Sequence, residues 1–317
     1  MPRAFLAGCR VREGKERPVD EIPRQDGISR GASIDGRFLH LIARHYYRLE
    51  FMNRVRGFAY ERCAELPYVL STLEPRFGET LRYLDIGSGG ESPLPTWLLA
   101  NTPWDITCVD KFSWVRKQRE HAVRVASAQE VAQRFHVVET DFLKTEFPAR
   151  SFDVITNVSV IEHFEGSSDS QAMAASGKLL KPGGLYILTT PVNEGFSREI
   201  YVKRDVYGEH ARGDKAVYYQ RHYDTQSVRS RLIEPSGLVE VGRIYFGDYE
   251  RQFFEELGGS LLHRIMKFPT RFNFPKHALR HLSYSDKPVS RAHMKDNTAS
   301  GVIVVLTRGS ARAAAMS

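Results

Sequence analysis

Cysteine is scarce in this chain of 317 residues: Cys9, Cys63 and Cys108 are scattered, with no pair at metal-ligand or redox spacing. That argues against a disulfide framework or a zinc site and fits reduced thiols in a cytoplasmic protein. Long hydrophobic runs are missing as well. No stretch approaches the ~20 apolar residues that span a bilayer, and the opening MPRAFLAGCRVREGKERPVDE returns to charge too soon for a secretory signal. Zinc-finger spacing and RNA-binding aromatic motifs are absent too. The formal net charge of +7 is therefore no nucleic-acid signature by itself, and no nucleic-acid partner is expected. What is present is the balance of a soluble globular protein, 42% apolar and 26% charged, long enough for a sizeable core.

Residues 1–30 mix charges with Pro and Gly and read as a flexible tail. Over 31–80, Phe38, Leu41, Ile42, Leu49, Met52 and Val55 recur at helical spacing and predict a cap of two or three helices. From residue 81 the texture changes. Strand candidates Leu81–Ile86, Asp105–Val109, Phe135–Glu139, Phe152–Asn157 and Leu185–Thr190 alternate with amphipathic stretches such as Ser113–Ala126 and Ser170–Leu180. Alternation at this spacing predicts parallel strands with crossover helices, a doubly wound α/β core over 81–249. Two later strand candidates follow, Val239–Tyr245 and Gly301–Leu306, the second continuous and β-branched like a buried strand.

The intervening 250–298 is long for a connection and reads as a helical insertion before the last strand, which lies in 299–317 with the tail. Arg264, Lys267, Arg271, Lys276 and Arg280 interleave there with Phe268, Phe272 and Phe274. Two readings stand for 261–282: peripheral contact with an anionic membrane surface, or a solvated basic face over the sheet edge. The first would put the protein at the inner membrane surface rather than free in the cytoplasm.

The strongest local signal is Arg82-Tyr-Leu-Asp-Ile-Gly-Ser-Gly-Gly-Glu-Ser-Pro. A strand carries Asp85 near its end, and Gly87, Gly89 and Gly90 follow, allowing a ligand close backbone approach. Ser92 is the expected N-cap of the next helix. An acid just ahead of the first glycine would repel a pyrophosphate but suits a cationic ligand with an amino group. A second acid, Asp110, ends the next strand, where a carboxylate can accept from a ribose diol. Phe112 and Trp114 beyond it would cover a purine or pack in the core. A third, Asp141, precedes Phe142, whose amide could meet a ring nitrogen. Ser88, Lys111 and Asn157 complete the candidate donor-binding set.

Taken in order, LDIGSGG at 84–90, Asp110, TDF at 140–142, FDVITNVSVIEHF at 152–164 and LLKPGGLYILTTP at 179–191 resemble the class I, Rossmann-like S-adenosylmethionine-dependent methyltransferases, in particular their small-molecule branch. The resemblance covers 81–246 and the final strand. It implies a seven-stranded, mostly parallel sheet with an antiparallel last strand, and S-adenosylmethionine across its carboxyl edge. One departure stands out: the family's usual acid-x-G-x-G-x-G has Glu91 at its last glycine position, so either Gly90 is extra or Glu91 turns away.

Methyl transfer from a sulfonium is an in-line displacement that needs alignment, sometimes a base, and no metal in principle. Glu162 and His163, after the fourth strand, are candidate bases, with structural capping as the alternative. His222 lies in Tyr218-Tyr-Gln-Arg-His-Tyr-Asp, after the polar, loop-like Val192–Ala216. Arg221, His222 and Tyr223 are set to contact an acceptor or to pack a helix entry on the sheet. The expected activity is O-methylation of a saccharide, a lipid-linked sugar or another small hydroxylated acceptor. The alternatives are N- or C-methylation of a metabolite, a non-catalytic binding module and a nicotinamide-dependent oxidoreductase. The absence of an N/D-P-P-Y/F motif at Asn157 disfavours base methylation.

Overall fold

The computed structural model describes residues 32–51, 53, 58, 61–193, 195–202, 216–248, 279, 282–286 and 300–309. The predicted tail over 1–30 lies outside the described residues, as does 261–282 apart from Leu279 and Leu282.

A two-residue strand, β1 (Ala32–Ser33), leads into helix α1 (Gly36–Leu49). Asp35 caps that helix by accepting from the amides of Arg37 and Phe38, donors without a partner inside the helix. Phe38, Leu39, Ile42, Tyr46 and Leu49 recur at three- and four-residue steps and form its buried face. Helix α2 (Arg62–Leu73) packs beside it and buries Cys63, Leu66, Val69 and Leu70.

The predicted core strands are present as β2 (Arg82–Ile86), β3 (Asp105–Asp110), β4 (Phe135–Glu139), β5 (Phe152–Val158) and β6 (Leu180–Pro191). Helices α3 (Leu94–Asn101), α4 (Arg116–Val125), α5 (Ala128–Arg134) and α6 (Ser168–Leu179) make the crossovers. All four ladders among these strands are parallel. Side chains alternate across the sheet: Tyr83, Val154 and Ile187 join the core under α1 and α2, whereas Leu84, Ile155 and Leu188 join the core under α6. The Pro-Gly-Gly expected as a turn sits inside the start of β6, where the pairing with β5 shifts by three residues between Phe152↔Leu180 and Val154↔Leu185.

Beyond β6 the sheet departs from expectation. The next strands are β7 (Arg198–Val202), within the stretch expected to be a loop, and β8 (Val217–His222), where a helix entry or an acceptor contact is expected; they form an antiparallel ribbon apart from the main sheet. A helical run over 225–236 ends on Gly237 in the left-handed region and enters β9 (Val239–Asp248). The last strand, β11 (Ser300–Thr307), inserts between β6 and β9, antiparallel to both, as expected. Among the described residues the sheet nevertheless has nine strands and not seven. Within the expected helical insertion, β10 (Leu282–Ser285) pairs with β9, and β1 pairs with β10. Strands of two and four residues are too short to show a period, and an open edge on β9 supplies the amides and carbonyls that recruit them. No helix among the described residues is long and apolar enough to cross a membrane.

Candidate active site

The chain leaves β2 for β3 and β4 on one side and returns to lay β5 and β6 on the other. At such a reversal the carboxyl ends of the strands part into a crevice. A cavity of about 550 Å³ opens there. Loop 87–93 after β2 forms one wall, Trp114 and Lys117 a second, and Tyr46, Phe58 and Arg62 of the N-terminal segment close the remainder.

The loop is shaped by its glycines. Gly87 has φ +71°, and a Cβ on it would stand 2.2 Å from Val160 Cγ1, so no other residue fits. Gly89 has φ +57° with open space where its Cβ would be, on the cavity wall. At Gly90 a Cβ would meet the Trp114 carbonyl at 2.7 Å. The second close approach therefore falls on Gly90, and Glu91 lies on the cavity wall. Ser92 is not the cap of α3, because Pro93 takes that position without a side-chain bond. Instead the Ser92 carbonyl, with those of Ser88 and Gly89, accepts from the buried Gln118 amide at 3.0–3.3 Å.

The acids at the strand ends are held differently. Asp85 is buried, accepting from Thr156 Oγ1 at 2.6 Å and the Tyr83 hydroxyl at 3.3 Å. Burial pushes its pKa up to about 6, against the pull of Thr156 and its other hydroxyl partners. It faces the cavity without a salt-bridge partner of its own among the described residues. Asp110 accepts the Gly89 amide on one oxygen and the Phe112 amide on the other, each at 2.9 Å. It thereby ties the glycine loop to the end of β3. Its pKa is raised by burial, with these two amides pulling it down. Asp141 caps a short turn through the Leu143 amide, and Phe142 is buried beside it. Asn157 is buried and accepts from the Ile161 amide, while Lys111 Nζ sits 4.7 Å over the Phe112 ring. Phe112 and Trp114 stack with centroids 4.2 Å apart.

The β5–β6 side is built from side chains far apart in sequence. His163 Nδ1 lies 2.7 Å from the Tyr219 carbonyl on β8. A carbonyl only accepts, so Nδ1 carries the proton and Nε2 keeps its lone pair. Burial lowers the His163 pKa to about 4, with the Tyr219 carbonyl acting the other way. Glu162 is buried and its pKa is raised to about 8, chiefly by that burial. His222 is buried in the ribbon beside Gln220. Arg221 and Tyr223 both donate to Asp169 on α6, a structural clamp away from the donor cavity. Two residues that sequence patterning did not single out are Arg62, on the cavity wall, and Glu65, buried one turn along α2. Glu65 accepts from Arg62 at 2.6 Å, from Ser159 Oγ at 2.5 Å and from Thr189 Oγ1 at 2.7 Å. A carboxylate on the apolar face of a helix was the available signal.

The profile of a family described as a methyltransferase domain matches residues 55–232, more than half of the chain. The chain belongs to the class I S-adenosylmethionine-dependent methyltransferases. Among solved structures, this methyltransferase is similar to a Galdieria sulphuraria protein assigned as a sarcosine dimethylglycine methyltransferase. Identity there is 13%, over 85% of this chain and 99% of that one, with a TM-score of 0.50. A Burkholderia thailandensis 1,6-didemethyltoxoflavin-N1-methyltransferase with bound S-adenosylhomocysteine is 13% identical, covering 85% and 90%, TM-score 0.47. A Mesorhizobium loti S-adenosylmethionine-dependent methyltransferase is 15% identical, covering 79% and 100%, TM-score 0.45. No curated protein matches the chain.

S-adenosylmethionine is the methyl donor. The cavity fits it: open space at Gly89 admits a ligand against the backbone, and buried Asp85 offers an anion to an ammonium group.

Proposed function

We propose that this methyltransferase transfers its methyl group to the hydroxyl of a small acceptor such as a saccharide or a lipid-linked sugar, with His163 receiving the hydroxyl proton. The observation that carries the reading is the Nδ1 contact to the Tyr219 carbonyl, which puts the ring's proton on Nδ1 and sets its orientation. The His163 side chain keeps 25% exposure on the short turn Ile161–His163 that follows β5. On the donor side, Asp85 takes the ammonium, Asp110 the ribose diol, and Asp141 with the Phe142 amide the purine edge. Gly87, Ser88 and Gly89 line the path between them, with Lys111 and Asn157 behind it. The bound donor supplies a methyl on a sulfonium. As the new C–O bond forms and the C–S bond breaks, its electron pair stays on sulfur and the hydroxyl proton passes to His163 Nε2. Glu162, neutral below about pH 8, leaves the adjoining imidazole as the group that accepts.

A labelled-donor screen over hydroxyl, amine and activated-carbon acceptors tests the chemistry. With the acceptor found, His163→Ala is expected to cut turnover by ~10²-fold or more while S-adenosylhomocysteine affinity holds. Equal turnover in variant and parent removes His163, and transfer to amines alone removes O-methylation. The donor placement has its own test in pH. Asp85 must be ionised to meet an ammonium, so affinity for S-adenosylhomocysteine falls as pH drops through about 6, approaching tenfold per pH unit. Asp85→Asn should bind weakly with no such slope.

A further inference from the structure

The amino-acid end of the donor is a zwitterion, with an ammonium and a carboxylate on one carbon. A site offering only Asp85 would leave that carboxylate facing another, an arrangement like charges oppose. Among the described residues, the cations on the cavity wall are Arg62 and Lys117. Lys117 packs on Gly90, where a Cβ would lie 3.2 Å from its Cδ, toward Trp114 and the outer end of the loop. Arg62 lines the cavity together with Asp85, Gly87 and Val158, on the side closed by the N-terminal segment.

The guanidinium is also fixed in place. Its Nη1 donates to Glu65 at 2.6 Å, and Glu65 is itself held by Ser159 Oγ and Thr189 Oγ1 from the ends of β5 and β6. Ser159 has φ +50°, a conformation that costs energy for a residue other than glycine and persists because its surroundings hold it. The neighbouring Val160 is the side chain lodged against Gly87 of the donor loop. A single carboxylate on α2 thus aims a cavity arginine and anchors the turn beneath the glycine loop. The planar guanidinium has five donors, enough to keep Glu65 and grip a second carboxylate.

We propose that Arg62, aimed by Glu65, binds the carboxylate of the donor's amino-acid end, so that the N-terminal cap and not the sheet secures that end. The proposal rests on the donor placement given above. Calorimetry on the full chain separates the two, using S-adenosylhomocysteine and its decarboxylated analogue, which keeps the amine. The parent should prefer the carboxylate-bearing probe by roughly tenfold to a hundredfold, as for one charge-assisted contact. Arg62→Gln should remove that preference and leave the analogue's affinity unchanged. Arg62→Lys should restore part of it. Glu65→Gln, which keeps an acceptor for Ser159 and Thr189, should erode the same preference by a smaller factor. Equal loss for both probes in Arg62→Gln, or no loss for either, overturns the assignment while the donor site stands. A parent that binds neither probe overturns the donor site as well.

Discussion

Around the tips of β2, β3 and β4 the cleft is shaped by backbone: glycines at 87, 89 and 90, amides gathered by Asp110, and carbonyls gathered by Gln118. Around β5 and β6 it is shaped by buried charges instead. Asp169 receives Arg221, Arg231 and Tyr223, which hold the β7–β8 ribbon against α6, and Glu65 receives Arg62, Ser159 and Thr189. The β2–β4 side thus takes its form from conformations only particular residues allow, and the β5–β6 side from charges that must be paired.

If that contrast holds, the two halves should fail differently. The largest effect is expected from Asp169→Ala, which takes the buried carboxylate from Arg221 Nη1, Arg231 and the Tyr223 hydroxyl and leaves Arg221 only Glu199 and the Gly166 carbonyl; it should cost about 3–5 kcal/mol of stability. Urea unfolding reads the loss, and the folded fraction should still bind S-adenosylhomocysteine as the parent does. Weakened binding there would mean the halves are not separable.

Next in size is Gly87→Ala. It combines a left-handed backbone with a 2.2 Å encounter with Val160, and should cost about 3 kcal/mol together with donor binding. Gly89→Ala sharpens the point. With open space at its Cβ it should lose donor binding for only about 1–2 kcal/mol of stability. Undiminished affinity in that variant would show that the donor does not lie on the loop. Asp110→Ala is the mildest, with S-adenosylhomocysteine binding weakened about tenfold and stability lowered by about 1 kcal/mol through the freed Gly89 and Phe112 amides. A parent-like titration would place the ribose elsewhere.

Patterning alone was enough for the strands and the glycine loop. The alternation of strands and helices, the acid ahead of the glycines and the acids at the ends of β2 and β3 are all local signals. A strand shows its period within five residues, and a left-handed turn needs glycine whatever surrounds it. The family match and the parallel ladders agree with the fold read from that alternation. Even there, contact partners were beyond reach: Gly90 rather than residue 91 supplies the close approach after Gly87 because the Trp114 carbonyl lies over it.

The β5–β6 side was decided by tertiary structure. The polar stretch after β6 contributes one strand of a ribbon, and two short strands extend the sheet to nine among the described residues, because pairing depends on which open edge lies near. Arg221 and Tyr223 carried no mark distinguishing a clamp on Asp169 from an acceptor contact. Glu65 is bonded to residues 94 and 124 positions away. A charge on an apolar helix face has no meaning in sequence until the fold supplies its partners, since burial is tolerated only when those partners arrive.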